Sequence, residues 1–362
     1  MAGPLNGVRI IEMAGIGPGP FAAMMMADHG AEVIRVERPG AADTPADPLL
    51  RSRTSITLDL KTPDGIAALK ALCRTADGLI EGYRPGVMER LGLGPDVLLA
   101  ANPALVYGRM TGWGQDGPWS QAAGHDINYI ALSGVLGTVG RAGERPLPPL
   151  NLAGDFGGGG MMLAFGMVSA LLHARAGGGG QVVDCAMTEG SALLMSMIWG
   201  FRGDGSWREE RGVNLLDTGA PYYDVYETAD GHYVALGAIE PQFYALFRDR
   251  AGLADDSFFD VQDDPALWPG QHERLTTLFK TRTRDDWCAV MGVGDACFTP
   301  VLSMTEALAH PHNRERGAFL TLNGTDQPAP APRYSATPCA SPRAPVAPGT
   351  DTAAVLAQLK DA

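Results

Sequence analysis

The chain has 362 residues, of which 45% are hydrophobic and 19% are charged, a composition typical of a packed globular protein large enough for two domains. Its formal net charge of −13 argues against a general nucleic-acid surface, so an anionic ligand would need locally concentrated cations. The five cysteines include no CxxC pair, and we therefore expect reduced thiols in a cytoplasmic protein without a metal site. We expect no signal peptide and no membrane span, because no apolar stretch of about 18 residues runs uninterrupted.

The first 110 residues alternate between strand and helix patterns. Thr62 and Pro63 begin one helix, as a cap residue followed by proline at the first helical position. Strands alternating with helices predict a parallel sheet covered by helices on both faces. The predicted strands span residues 8–12, 32–37, 55–59, 78–82 and 105–108, and a first helix spans 20–28.

The rest of the chain divides into different patterns. A helix is predicted at 127–136, an apolar helix at 161–172 and a strand at 181–185. A hairpin at 222–237 and three helical patterns then indicate a smaller α+β domain, and a proline-rich arm ends in a short helix near 352–359. We therefore predict a large Rossmann-like domain over 1–200 completed by the arm at 313–362, a crossover linker at 201–220 and a small domain at 221–312.

The segment from Gly15 to Pro20 follows a strand and begins a helix, as dinucleotide-binding loops do. Pro20 replaces the last glycine of GxGxxG, so a tight β–α turn explains this segment better than NAD or FAD binding. Several cations lie near the predicted strand ends, where open α/β sheets bind ligands, and they favour a phosphate-bearing ligand. These cations are Arg35, Arg38, Arg51, Arg53, Lys61, Arg84 and Arg90.

His125 and Asp155 are the candidate proton carriers, because each is ionisable and lies among small or apolar residues. Each also has a structural explanation, since His125 lies near a predicted helix start and Asp155 could be a helix N-cap. The glycines at 157–160 could let a ligand approach the backbone, and helix-start N–H groups could hold an oxyanion. Glu240, after a strand of the small domain, could be a cap or could orient an imidazole.

These motifs resemble those of the α-methylacyl-CoA racemases, within the wider family of class III CoA-transferases. The resemblance runs from Gly7 to about Phe319. The similar stretches are 32–38, 58–61 (Leu-Asp-Leu-Lys), 80–87 (Ile-Glu-Gly-Tyr-Arg-Pro-Gly-Val), 109–115, 124–129 (Gly-His-Asp-Ile-Asn-Tyr), 149–155 and 238–242.

The resemblance implies a Rossmann-like large domain, a small domain and an interlocked homodimer with the active site between the domains. It implies that His125 and Asp155 are the two bases, with Glu240 near the imidazole, and that no metal or redox cofactor is needed beyond the CoA of the substrate. It also implies a CoA site formed by Arg38, Leu58, Asp59, Leu60, Lys61, Arg84, Arg90, Gly124, Asp126, Ile127, Asn128 and Tyr129.

The sequence hypothesis is therefore an isomerase that epimerises the α-carbon of 2-methylacyl-CoA thioesters through an enolate. Two alternatives stay open. One is a CoA-transferase in which Asp155 attacks the acyl group, although the family's transferases lack a histidine comparable to His125. The other is an acyl-CoA-binding protein without turnover.

Overall fold

A computed structural model describes residues 3–359, and its largest feature is a six-stranded, fully parallel sheet. The predicted parallel α/β sheet is confirmed. Its strands are β1 (Arg9–Met13), β2 (Glu32–Glu37), β3 (Arg53–Thr57), β4 (Gly78–Glu81), β5 (Val106–Thr111) and β6 (Gln181–Ala186).

Helices cover both faces of this sheet, and each face packs its own apolar core. Thr62 caps α2 as predicted, since its hydroxyl accepts from the Gly65 N–H at 3.2 Å. Gly134, at φ 90°, separates α5 from α6 where a single helix was predicted. The helices up to β6 and directly after it are α1 (Pro18–Asp28), α2 (Pro63–Arg74), α3 (Val87–Arg90), α4 (Pro95–Ala101), α5 (Asp126–Leu132), α6 (Val135–Thr138), α7 (Met162–His173) and α8 (Met187–Leu194). Most of α6 and all of the next helix, α9 (Ser196–Asp204), belong to a second unit described below.

The strand order is β3-β2-β1-β4-β5-β6. The chain runs outward from β1 in one direction and from β4 in the other, so the order reverses between these two strands. In open α/β sheets such a reversal creates a crevice at the carboxyl ends of the strands, where ligands bind. The loops that follow β1 and β4 therefore mark the expected binding site.

The chain forms two compact units. The first comprises the described residues 3–135, 149–195 and 317–359, and the second comprises 136–148 and 196–316. Residues 136–148, predicted for the large domain, belong to the second unit because the Arg141 guanidinium binds both Asp224 oxygens at 2.9 Å and Arg211 donates to the Glu144 and Gly137 carbonyls. Residues 196–220 also belong to this unit, so they are not a separate linker.

The second unit contains an antiparallel sheet formed by β7 (Tyr223–Glu227), β8 (Tyr233–Gly237) and β9 (Phe298–Pro300). The hairpin was predicted, whereas β9 was not. Aromatic side chains fill the core between this sheet and its helices. These helices are α10 (Pro241–Ala251), α11 (Trp268–Phe279) and α12 (Arg284–Met291). Two short helices without buried residues, α13 (Met304–Ala309) and α14 (Pro311–Glu315), follow β9.

The C-terminal arm is held onto the first unit by hydrogen bonds. Arg51 donates to the Gln327 side chain at 2.9 Å, and the Asp351 carboxylate accepts from the Ser55 N–H at 2.9 Å. The arm contains an unpredicted hairpin, β10 (Phe319–Leu322) with β11 (Thr325–Pro328), and the predicted short helix, α15 (Thr352–Gln358).

The longest helical stretch in the described part of the chain, Leu152–Gly178, is long and apolar enough to cross a membrane by length and composition. It consists of a π-helical segment (Leu152–Met161), α7 and a short π-helical end (Ala174–Gly178). Leu163, Met167 and Leu171 on one face are buried in the core of the parallel sheet. One face of this helix is therefore a core face, as in globular proteins.

Candidate active site

Two adjoining cavities lie at the carboxyl ends of the parallel strands. Their volumes are about 710 and 640 Å³, each within the range of small-molecule sites. After the roles predicted from the sequence for residues that line them, we call them the nucleotide cavity and the catalytic cavity, respectively. Both are lined by residues at and after the ends of β1 and β4, which are Met13, Gly15, Ile16, Gly17, Pro20 and Tyr83.

The catalytic cavity brings both candidate bases together. His125 is the N-cap of α5, where its N–H donates to the Asn128 side-chain oxygen at 3.1 Å. Asp155 lies in the π-helical segment Leu152–Met161. Both side chains line this cavity, together with Arg84, Gly124 and Tyr129. Two ionisable groups therefore face the same space, as proton transfer on two sides of a carbon requires.

Asp155 is not a helix N-cap, because Asn151 occupies that position. The Asn151 side-chain amide donates to Asp155 Oδ2 at 3.1 Å and so orients the carboxylate. Burial raises the pKa of Asp155 above its ordinary value, and the Asp126 charge raises it further, whereas the Asn151 hydrogen bond and His125 lower it. A raised pKa makes the carboxylate a stronger base and brings it closer to a group that can both take up and release a proton.

Asp126 joins the two elements that carry the bases. Its buried carboxylate accepts from the Gly154 N–H at 2.7 Å and from the Asp155 N–H at 2.8 Å, both through Oδ2. Its other oxygen, Oδ1, is buried with no hydrogen-bond partner among the described residues. The prediction that these helix-start N–H groups are open to an enolate oxygen is therefore wrong for this conformation, because Asp126 occupies two of them.

The glycines after Asp155 serve helix packing and not ligand approach. A Cβ on Gly158 would lie 2.4 Å from the Ser191 nitrogen of α8, and one on Gly160 would lie 2.9 Å from the Pro18 oxygen of α1. Gly158, Gly159 and Gly160 are buried. The interpretation of this run as a ligand-approach surface is therefore wrong, because the neighbouring helices fill that space.

Gly124 is required by aromatic packing beside His125. A Cβ there would lie 2.8 Å from both the Trp113 and the Tyr129 rings. These two rings meet edge to face with centroids 4.8 Å apart, and the Tyr129 hydroxyl donates to the Gly124 carbonyl. The aromatic pair thus fixes the backbone just before His125.

The nucleotide cavity contains much of the predicted CoA site. Arg38 follows β2, and the segment 58–61 follows β3, so both lie at strand ends. Arg38 and Lys61 are exposed and form no ion pair within residues 3–359, which leaves their charges available to phosphate groups. The predicted residues that line this cavity are Arg38, Leu58, Asp59, Leu60 and Lys61.

Three of the predicted phosphate cations are instead structural. Arg35 and Arg53 both pair with the fully buried Glu12, with Arg53 at 2.7 Å. Arg51 forms a buried pair with Asp28 at 2.5 Å. Because a buried charge is costly without a partner, these carboxylates account for the three arginines. Arg51 and Arg53 line neither cavity, so the phosphate-site interpretation is wrong for them, whereas Arg35 also lines the nucleotide cavity.

Some predicted residues line neither cavity. Within the stretch 124–129, Asp126, Ile127 and Asn128 do not, and Arg90 lies at the exposed end of α3. Glu240 belongs to the second unit, where it is the exposed N-cap of α10 and makes no side-chain cap hydrogen bond.

Sequence reasoning missed three residues that shape the cavities. Tyr83 lines both of them, Trp113 lines the catalytic cavity, and Asn151 orients Asp155. Tyr83 and Trp113 each follow the end of a parallel strand, and this position is the signal that could have identified them.

Comparison with known proteins agrees with this architecture. The CoA-transferase family III model matches residues 5–352. The chain belongs to this family. It is 50% identical over 336 residues to mouse alpha-methylacyl-CoA racemase, covering 92% of this chain and 87% of that one. It is 47% identical over 337 residues to the human alpha-methylacyl-CoA racemase, with the same coverage.

A solved structure shows the same fold. A CAIB/BAIF family protein from Brucella suis aligns with a TM-score of 0.84 over 99% of this chain and 100% of that chain. At 23% sequence identity, this likeness concerns the fold alone.

Proposed function

We propose that the protein is an isomerase that epimerises the α-carbon of 2-methylacyl-CoA thioesters. The observation that carries the proposal is the pairing of His125 and Asp155 in one cavity that adjoins a second cavity with exposed cations. Such a pair of cavities fits a thioester whose acyl end lies at the bases and whose nucleotide end lies at Arg38 and Lys61. The similarity to the mouse and human racemases supports the same reaction.

In the proposed reaction, His125 takes the α-proton from one epimer and Asp155 delivers a proton to the opposite face. For the other epimer the roles reverse. The thioester acidifies the α-carbon, so the proposed reaction needs no metal or redox cofactor. General acid–base catalysis of this kind contributes on the order of 10²–10⁴-fold.

The enolate oxygen would develop charge near the start of the helix that carries Asp155. Asp126 already directs a carboxylate at the Gly154 and Asp155 N–H groups. The enolate can use these donors only if the Asp126 carboxylate turns away, because two anions would otherwise share them. In this proposal, Asp126 sets the negative charge beside the enolate oxygen and makes no direct contact with CoA.

The proposed roles of three further residues come from the sequence resemblance. Arg84 and Arg90 would assist Arg38 and Lys61 with the phosphates of CoA, and Glu240 would orient the imidazole of His125. A cytoplasmic location stays a prediction.

The test is deuterium incorporation at the α-carbon combined with inversion. The wild-type protein should incorporate solvent deuterium into both epimers of a 2-methylacyl-CoA and interconvert them. His125→Ala and Asp155→Ala should each reduce inversion by at least about 10²-fold, since each removes one of the two proton carriers. Normal inversion in both variants would overturn the mechanism. Arg74→Met, an exposed substitution that lines neither cavity, is the control.

A CoA-transferase is the second candidate, because the family model that matches the chain carries that name. In that reaction Asp155 attacks the acyl carbonyl and releases CoA as a thiol, leaving a mixed anhydride. Hydroxylamine would trap the anhydride as a hydroxamate, and CoA would move to a second carboxylic acid. Acyl-CoA binding with neither exchange nor transfer would instead identify a binding protein.

We also propose that the protein is a homodimer. The face of the helix Leu152–Gly178 opposite its buried face is apolar and exposed, with Phe165 and Leu172 each 73% exposed and Met161 and Val168 beside them. Four apolar residues at helical spacing form a stripe that a second copy would cover. Sedimentation equilibrium should give the mass of a dimer, and Phe165→Asp should shift it towards the monomer. A monomeric wild-type protein at micromolar concentration would refute this part.

A further inference from the structure

The segment Tyr83–Arg90 carries two polar side chains that line the candidate cavities, and a third, Arg90, that lines neither. Tyr83 lines both cavities and Arg84 lines the catalytic cavity. Arg90 is the last residue of the four-residue helix α3. The segment consists of a loop and one helical turn after β4, so few regular backbone hydrogen bonds fix it. Side-chain contacts are therefore needed to hold Arg84 and Arg90 in position.

A buried charge network holds this segment at both ends. Glu81 and Arg109 are opposite each other on β4 and β5, and Arg109 Nε donates to Glu81 Oε1 at 3.0 Å. Glu81 Oε2 accepts from the Tyr83 N–H at 2.7 Å. The Arg109 fork donates to the two Glu89 oxygens at 2.8 and 3.3 Å. One guanidinium thereby connects the strand end to the start of the segment and to α3.

Neither Glu81 nor Arg109 lines either candidate cavity. The Glu81 and Arg109 side chains are only 1% and 8% exposed. Burial raises the pKa of Glu81 to about 6, opposed by the Tyr83 hydrogen bond and by Arg109. Glu81 is therefore ionised at neutral pH and pairs with Arg109 as a charged group, a stronger and more directional contact than a neutral hydrogen bond.

We propose that Glu81 and Arg109 are positioning residues for the nucleotide part of the acyl-CoA, and that they act by holding Arg84 and Arg90 in place. This inference rests on the proposed function, because it takes the thioester of CoA as the ligand. The pair does not touch the reacting carbon. Its loss should therefore weaken binding of the phosphates and leave the proton-transfer step itself unchanged.

The experiment compares Glu81→Gln with the wild-type protein on two thioesters. One is a 2-methylacyl-CoA, and the other is the matching acyl-pantetheine, which has no phosphates. A glutamine keeps an acceptor for the Tyr83 N–H but removes the charge that binds Arg109. We expect KM for the acyl-CoA to rise roughly tenfold, which corresponds to about 1.4 kcal/mol. We expect kcat for the acyl-CoA, and both constants for the acyl-pantetheine, to stay at wild-type values.

A control separates positioning from general destabilisation. Asp28→Asn breaks the buried pair with Arg51, which lines neither cavity, and should lower stability without changing KM. If Glu81→Gln does not fold, Glu89→Gln replaces it, because Glu89 is 44% exposed and its loss frees only α3 from Arg109. A smaller rise in KM for acyl-CoA alone is then expected.

Two results would overturn the inference. One is an unchanged KM for acyl-CoA in the folded variant, and the other is an equal loss on both thioesters. Titration calorimetry with free CoA distinguishes this failure from failure of the proposed reaction. Suppose that the wild-type protein exchanges no α-proton but binds CoA, and that Glu81→Gln binds CoA roughly tenfold more weakly. That result would support the positioning role and refute the proposed reaction.

Discussion

Gly158→Ala tests whether the glycine run after Asp155 is a packing surface. The added Cβ would lie 2.4 Å from the Ser191 nitrogen and 2.8 Å from its Cα, about 1 Å closer than ordinary van der Waals contact. Because both atoms belong to the backbone of α8, the contact is relieved only if the two helices separate. Overpacking of this kind costs about 1–3 kcal/mol, and the gain from replacing glycine in a helix offsets only about 0.5–1 kcal/mol.

The matched control is Gly200→Ala in α9, where an added Cβ meets no atom within 4 Å. Urea denaturation should show Gly158→Ala destabilised by about 1–2 kcal/mol and Gly200→Ala stabilised by about 0.5–1 kcal/mol. Asp155 lies three residues before Gly158, so the shift should lower kcat more than it raises KM. A Gly158→Ala variant of wild-type stability with a raised KM would refute the packing argument and restore ligand approach.

Three further predictions concern charge. Asp155→Asn should raise stability by roughly 0.5–1 kcal/mol at pH 7 and not at pH 3, measured by urea melts at both values. The reason is that the pKa of Asp155 is raised in the folded state, so the protonated carboxyl stabilises the fold below the ordinary value near 3.8 and this stabilisation is lost as pH rises through the folded-state pKa. At pH 7 the buried charge therefore destabilises the wild-type fold, and asparagine removes it. Asp126→Asn should move the acidic limb of the pH–rate profile to lower pH, because the Asp126 charge raises the pKa of Asp155; an unmoved limb would contradict this. Arg38→Met and Lys61→Met should raise KM for acyl-CoA and weaken its dependence on salt, whereas equal effects from the control Arg74→Met would show that neither contact is specific.

The sequence was sufficient to predict the main features of the fold. The alternation of strand and helix patterns predicted the parallel sheet, and the Thr62–Pro63 pair predicted the start of α2. It was not sufficient for the boundary at residues 136–148, which depends on a long-range contact between Arg141 and Asp224. A contact across 83 residues leaves no local pattern in the chain.

The same limit applies to the cations of the candidate site. The position of Arg38 and Lys61 after parallel strands predicted a place at the strand ends, and both line the nucleotide cavity there. Arg51 and Arg53 line neither cavity, and they were misread because an arginine beside a strand end looks the same in sequence whether its partner is a phosphate or a buried carboxylate. Only the structure shows that Glu12 and Asp28 bind them.

Asp126 connects the two elements that carry the proposed bases, His125 and Asp155. Asp126 directly follows His125, and its carboxylate binds the backbone of Gly154 and Asp155. The start of α5 is thereby tied to the π-helical segment that carries the second base. Asp126, which the sequence resemblance placed in the CoA site, thus links the backbone positions of the two proposed proton carriers. Because its charge also raises the pKa of Asp155, geometry and proton affinity at this site depend on the same side chain. Asp126→Asn separates the two effects, since an amide oxygen can still accept from both N–H groups while the charge is lost.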